Sequence, residues 1–176
     1  MGQIIHFPLP APDYPARATD LDRVESILLI AIRWWVAATR AAEDPLPRLC
    51  QGLDMAGAHD AAFSIDALMA VVARTARRML VVHCPRCPHL SDDETQLLHA
   101  ASLAQDGDGP AAERALRQAL LSAQGAEFAL GPLEGLSTLF TEASLLLLRR
   151  RPRPADPSRI PWAESWHPAA TPDTLH

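Results

Sequence analysis

The sequence predicts an all-α protein: a compact bundle of about five to six helices, with extended proline-rich arms at its amino and carboxy ends. Three observations carry this. First, hydrophobic residues make up 48% of the 176-residue chain but aromatics only 5%. Alanine and leucine supply most of that fraction, and both lose little on entering a helix, whereas β-branched residues are comparatively few. Second, apolar residues recur at three- and four-residue steps through the middle of the chain. Third, prolines crowd both ends, at Pro8, Pro10, Pro12 and Pro15 and again from Pro152 onward. The length suits one domain, since domains commonly run about 100–150 residues. The chain therefore divides into an extended arm (1–18), a helical domain (19–151) and a Pro- and Trp-containing tail (152–176).

Proline lacks an amide proton and biases the preceding residue toward extended backbone, so the first arm is not helical. Thr19 or Asp20 is placed to cap a first helix reaching to about Glu43. Its apolar stripe is Leu21, Val24, Leu28, Ala31, Trp35, Ala38 and Ala42, with Ser26, Arg33 and Arg40 opposite. Arg33 is the single polar residue between Ile27 and Val36. This helix is expected at the centre of the bundle, or with one flank in a subunit interface. Pro45 and Pro47 interrupt it, and a short helix over 46–56 carries Cys50 and ends at Gly57. Asp60 or Ser64 then caps a helix to about Val82, with Ile65, Leu68, Met69, Val72, Ala76, Met79 and Leu80 inward and His83 on the same stripe. Residues 79–82 also read as a short strand.

Ser91 and Glu94 form a capping box for a helix to about Gln105, and Asp92 and Asp93 complement its positive end. Residues 106–110, Asp-Gly-Asp-Gly-Pro, make a turn into a helix to about Gln124. Gly131-Pro132 opens the last helix, with Leu133, Leu136, Leu139, Phe140, Ala143, Leu146 and Leu147 inward, and Pro152 stops it. In the tail, Trp162 and Trp166 are expected to pack on the helical body, since each offers a large apolar area.

Composition excludes several function classes. All sixteen basic residues are arginine, which removes lysine Schiff-base and phosphate-loop chemistry. A net charge of −5 argues against a nucleic-acid partner. No apolar run approaches the ~20 residues that span a bilayer, so no membrane insertion is expected. The first residues, Met1 to His6, carry neither a basic region nor a long apolar run, and no signal peptide is expected there. Three cysteines do not make a secreted disulfide framework. A cytoplasmic protein with reduced thiols is the expectation.

The chemistry-bearing stretch is His83-Cys84-Pro85-Arg86-Cys87-Pro88-His89. Cys-x-x-Cys supplies two zinc ligands from one turn, and a tetrahedral site needs four. Cys84, Cys87, His83 and His89 form the first candidate set, with Cys50, His99 and His59 as alternative ligands. Cys84-Pro85-Arg86-Cys87 also resembles the dithiol of thioredoxin-like proteins, in which a helix start activates the first thiol. That resemblance covers four residues and lacks the strands such a fold requires. An ordinary interhelical turn, with the cysteines packed as small apolar groups, accounts for the same residues. No Gly-x-Ser-x-Gly, His-Glu-x-x-His or dinucleotide glycine pattern is present, and no catalytic residue is assigned.

The expected function is therefore a non-enzymatic interaction or regulatory protein, binding a protein partner or self-associating as a homodimer, with a structural zinc at the Cys84/Cys87 turn. A small thiol-redox or metal-dependent enzyme using those cysteines is the alternative. A helical ligand-binding domain, with a pocket beside Trp34 or Trp35, is a third.

Overall fold

Six α-helices, and no strand, make up the regular structure of residues 11–152, the part of the chain described by a computed structural model. They are α1 (Arg23–Arg40), α2 (Leu46–Asp54), α3 (Ala61–Thr75), α4 (Asp92–Gln105), α5 (Gly109–Ala119) and α6 (Ala123–Glu142), preceded by a single 3-10 turn at Ala18–Asp20. The predicted all-α class is thus the observed one. The centre is not α1. Helices α3 and α4 each pack against both α1 and α6, while α2 bridges α1 and α3, and α5 closes against α4 and α6. Leu28, Ile32, Ile65, Leu68, Met69, Leu97, Leu98, Leu116, Leu136 and Phe140 meet in one core. No helix among the described residues is long and apolar enough to cross a membrane.

Several boundaries differ from the sequence expectation, each for a local reason. Asp22, rather than Thr19 or Asp20, caps α1: its side chain accepts from the Glu25 amide while Glu25 accepts from the Asp22 amide. Helix α3 stops at Thr75 instead of continuing to Val82, and residues 79–82 are neither helix nor strand. The α5–α6 link captures the backbone there. Ser122 N–H donates to Thr75 O and Arg77 N–H donates to Leu120 O, both at 3.0 Å, and these bonds replace continued helix. His83 consequently leaves the α3 stripe. Helix α5 ends five residues before Gln124 because Leu120 and Leu121 turn inward and are fully buried.

The last helix begins at Ala123, capped by the Ser122 side chain, so Gly131-Pro132 lies inside it. The stripe Ala126, Ala129, Leu133, Leu136, Phe140 is buried on both sides of the proline. That burial offsets a lost backbone bond that costs about 3 kcal/mol in an exposed helix. Helix α6 ends at Glu142 and not near Arg151. Ser144 takes φ 58°, Ser144 N–H bonds Thr141 O and Leu145 N–H bonds Phe140 O. This is a Schellman turn with serine where glycine is usual. Leu145 is thereby buried and Leu146 is turned outward, 62% exposed, so Leu146 does not belong to the apolar face.

The end segments pair with each other. Tyr14 N–H donates to Arg151 O and Arg151 N–H to Pro12 O, while Ala18 N–H donates to Pro88 O and Leu90 N–H to Ala16 O. Residues 11–18 of the first arm therefore lie packed between the carboxy-terminal segment and the stretch after the cysteines. Tyr14 anchors them in the core. Burial, and then the charge of Glu25, pushes its hydroxyl well above the ordinary range. The tail residues Trp162 and Trp166 lie outside the described residues.

Gly125 faces Thr75 so closely that an added methyl would overlap the threonine side chain. Alanine normally stabilises a helix by about 1 kcal/mol relative to glycine, whereas forcing atoms into a packed contact costs about 1–3 kcal/mol. Gly125→Ala is expected to lower the urea midpoint. A raised midpoint would place α3 and α6 farther apart than described.

Candidate functional site

The cysteine stretch is a loop whose shape is set by one arginine from α1. Pro85 occupies the second position of a four-residue turn, Cys84 to Cys87, closed by Cys87 N–H donating to Cys84 O at 3.0 Å. Proline's fixed φ suits that position. Behind the turn lies Arg33, 2% exposed. Its Nε and Nη2 donate to Glu94 Oε1 and Oε2 at 2.7 and 3.0 Å, a bidentate pair. Its Nη1 donates to Cys87 O at 2.7 Å and its Nη2 to His89 O at 2.5 Å. Arg33 was expected on the face opposite the apolar stripe; it is buried because this loop and Glu94 cover that face.

Glu94 is fully buried and serves three neighbours at once. Besides Arg33, it accepts from the Ser91 amide as part of the capping box and from the His83 amide at 3.0 Å. A carboxylate offers about four lone-pair sites, and all four are engaged. Asp93 accepts from the Val81 amide and pairs with Arg78, while Ser91 Oγ donates to Val81 O. The capping role foreseen for these acids is present but does not exhaust them. The α4 amino terminus also binds the segment 78–83 that leads into the cysteines.

Of the predicted ligand residues, four lie on the cysteine loop and three lie elsewhere. Cys84 is exposed and Cys87 half-buried, and both are free thiols. His83 is half-buried and His89 exposed, each holding the loop by a backbone group, the former's N–H and the latter's carbonyl. Cys50 sits half-buried on α2, and His59 lies beyond α2 with its Nδ1 4.0 Å from Asp54. His99 lies along α4 against the carboxy-terminal segment, where burial lowers its pKa. Among the described residues, no group of three or more histidines, cysteines or acids is arranged to hold a metal ion.

A groove of about 540 Å³ opens between α1 and the cysteine loop. Ile27 and Ile30 form one wall and Pro85, Cys87 and Pro88 the other, with Arg23 and Arg86 also lining it. It lies toward the amino end of α1 from the two tryptophans. Trp35 is buried and donates to Asp66, and Trp34 packs over Gly52 with the Arg48 guanidinium 5.0 Å from its ring. The signal for this site in the sequence was the solitary Arg33 in an apolar run: a buried charge must find a counter-charge. Compared with protein-family models, with curated proteins and with solved structures, the chain matches none.

Replacing Arg33 by methionine leaves Glu94 buried without its counter-ion, a change that typically costs about 3–5 kcal/mol. It also frees the Cys87 and His89 carbonyls. Arg33→Met is expected to lose stability in this range and to raise the alkylation rate of Cys87 toward that of exposed Cys84. Unchanged stability with unchanged Cys87 reactivity would mean the loop is held by something else.

Proposed function

We propose that this chain is a non-enzymatic interaction protein that receives an apolar, acid-flanked segment of a protein partner in the groove between α1 and the cysteine loop. The observation that carries this reading is the groove itself, an apolar cleft whose loop wall is fixed by Arg33 before any partner arrives. A wall already ordered loses little entropy on binding. Charge supports the choice of partner. Arg23 and Arg86 are exposed and neither has an ion-pair partner among the described residues, so they match carboxylates at the edge of an apolar segment.

A zinc clip at Cys84 and Cys87 with His83 and His89 is the second reading, favoured by the tight turn that joins the two cysteines. In that case the metal would act on the same loop, and zinc analysis of the purified chain separates the two readings.

The test uses a fluorescent amphipathic peptide carrying leucines at helical spacing between acidic residues. Saturable binding is expected, together with slower alkylation of Cys87 but not of Cys50. Ile30 is half-buried, so Ile30→Arg should keep the fold while weakening binding by about tenfold or more, the worth of one well-buried aliphatic side chain. Equal binding to the variant, or no protection of Cys87, would defeat the proposal.

A further inference from the structure

A second cavity, of about 350 Å³, lies on another side of the bundle, where the carboxy-terminal segment crosses α4 and α5. Its lining includes His99, Arg114, Gln118, Arg149, Arg150 and Arg151 and contains no acidic residue. We infer that this cavity is a binding site for a small phosphate or phosphate ester. Nothing in the proposed interaction role uses it.

The charges decide the ligand class. Arg150 is committed to buried Glu25 at 2.6 Å. Arg149 reaches Asp106 at 3.4 Å and Arg151 reaches Asp13 at 3.1 Å, and both arginines are more than half exposed, so these pairs are loosely held. Arg114 has no hydrogen bond or ion pair among the described residues. One uncompensated guanidinium and two weakly engaged ones thus border a cavity without carboxylates, which suits a multiply charged anion.

His99 lines the same cavity and its ring bonds the Arg150 backbone, so its resonances report on what enters beside the arginines. The cavity volume accommodates an anion of this size, since small-molecule sites start at about 300 Å³.

The experiment titrates the full chain with inorganic phosphate, and separately with glycerol 3-phosphate, against sodium chloride of matched ionic strength, following the His99 ring resonances and thermal midpoint. A saturable response is expected, weakened about tenfold or more in Arg114→Gln and retained in Arg74→Gln, which removes an exposed arginine on α3. Tighter binding of glycerol 3-phosphate assigns the site to an ester; tighter binding of phosphate assigns it to the free ion. No response beyond that of chloride, a response undiminished in Arg114→Gln, or equal loss in both variants would overturn the assignment.

Discussion

The structure depends on how one buried guanidinium is compensated. Arg33 lies inside an otherwise apolar stretch of α1 and is 2% exposed. Taking an ion out of water costs several kcal/mol unless its hydrogen bonds are replaced. Its replacements are the Glu94 carboxylate and the carbonyls of Cys87 and His89. The cysteine loop therefore takes the shape that satisfies Arg33, and α1 is joined to the start of α4 by the same contacts. A hydrophobic pair of similar volume would often be as stable as a buried ion pair, but would leave those carbonyls without this donor. The physical role of the arginine is to fix a loop more than to add stability.

The same device occurs twice. Glu25 closes the capping box of α1 and accepts from Arg150 at 2.6 Å; Glu94 closes that of α4 and accepts from Arg33. In each case a glutamate that caps the start of a helix is buried, and an arginine distant in sequence donates to its carboxylate. One pair fastens the loop wall of the groove. The other fastens residue 150, beside which Arg151 pairs with the amino-terminal arm. The two end segments and the cysteine loop are thus tied to the helical body through helix starts, where the positive end of the dipole also favours a carboxylate.

Much of the architecture was legible because caps and periodicity are local. Ser91 with Glu94 announced α4, and the apolar steps announced most of the helices, though not the stretch 125–130 that opens α6. The misplacements arose where distant segments compete with local preference. Nothing near Thr75 signals that Leu120 and Ser122 will take its next backbone bonds. Gly131-Pro132 reads as punctuation, yet the stripe from Ala126 to Phe140 continues through it. Ser144 in a left-handed conformation carries no signal comparable to glycine. At the site, Cys84 and Cys87 drew attention through their chemistry, whereas Arg33 and Glu94 organise the loop. Their partnership spans 61 residues of sequence and becomes visible only in the fold.

Native-state hydrogen exchange at the His83 amide tests this account most directly. That amide donates to Glu94, at the point where the loop, α4 and Arg33 converge. If the ion pair holds the loop, His83 exchanges through openings nearly as rare as those that expose the buried α4 residue Leu98. Its protection also persists when the thiols are alkylated and a chelator is present. Rapid exchange at His83 beside a protected Leu98, or protection that vanishes with the chelator, would contradict it.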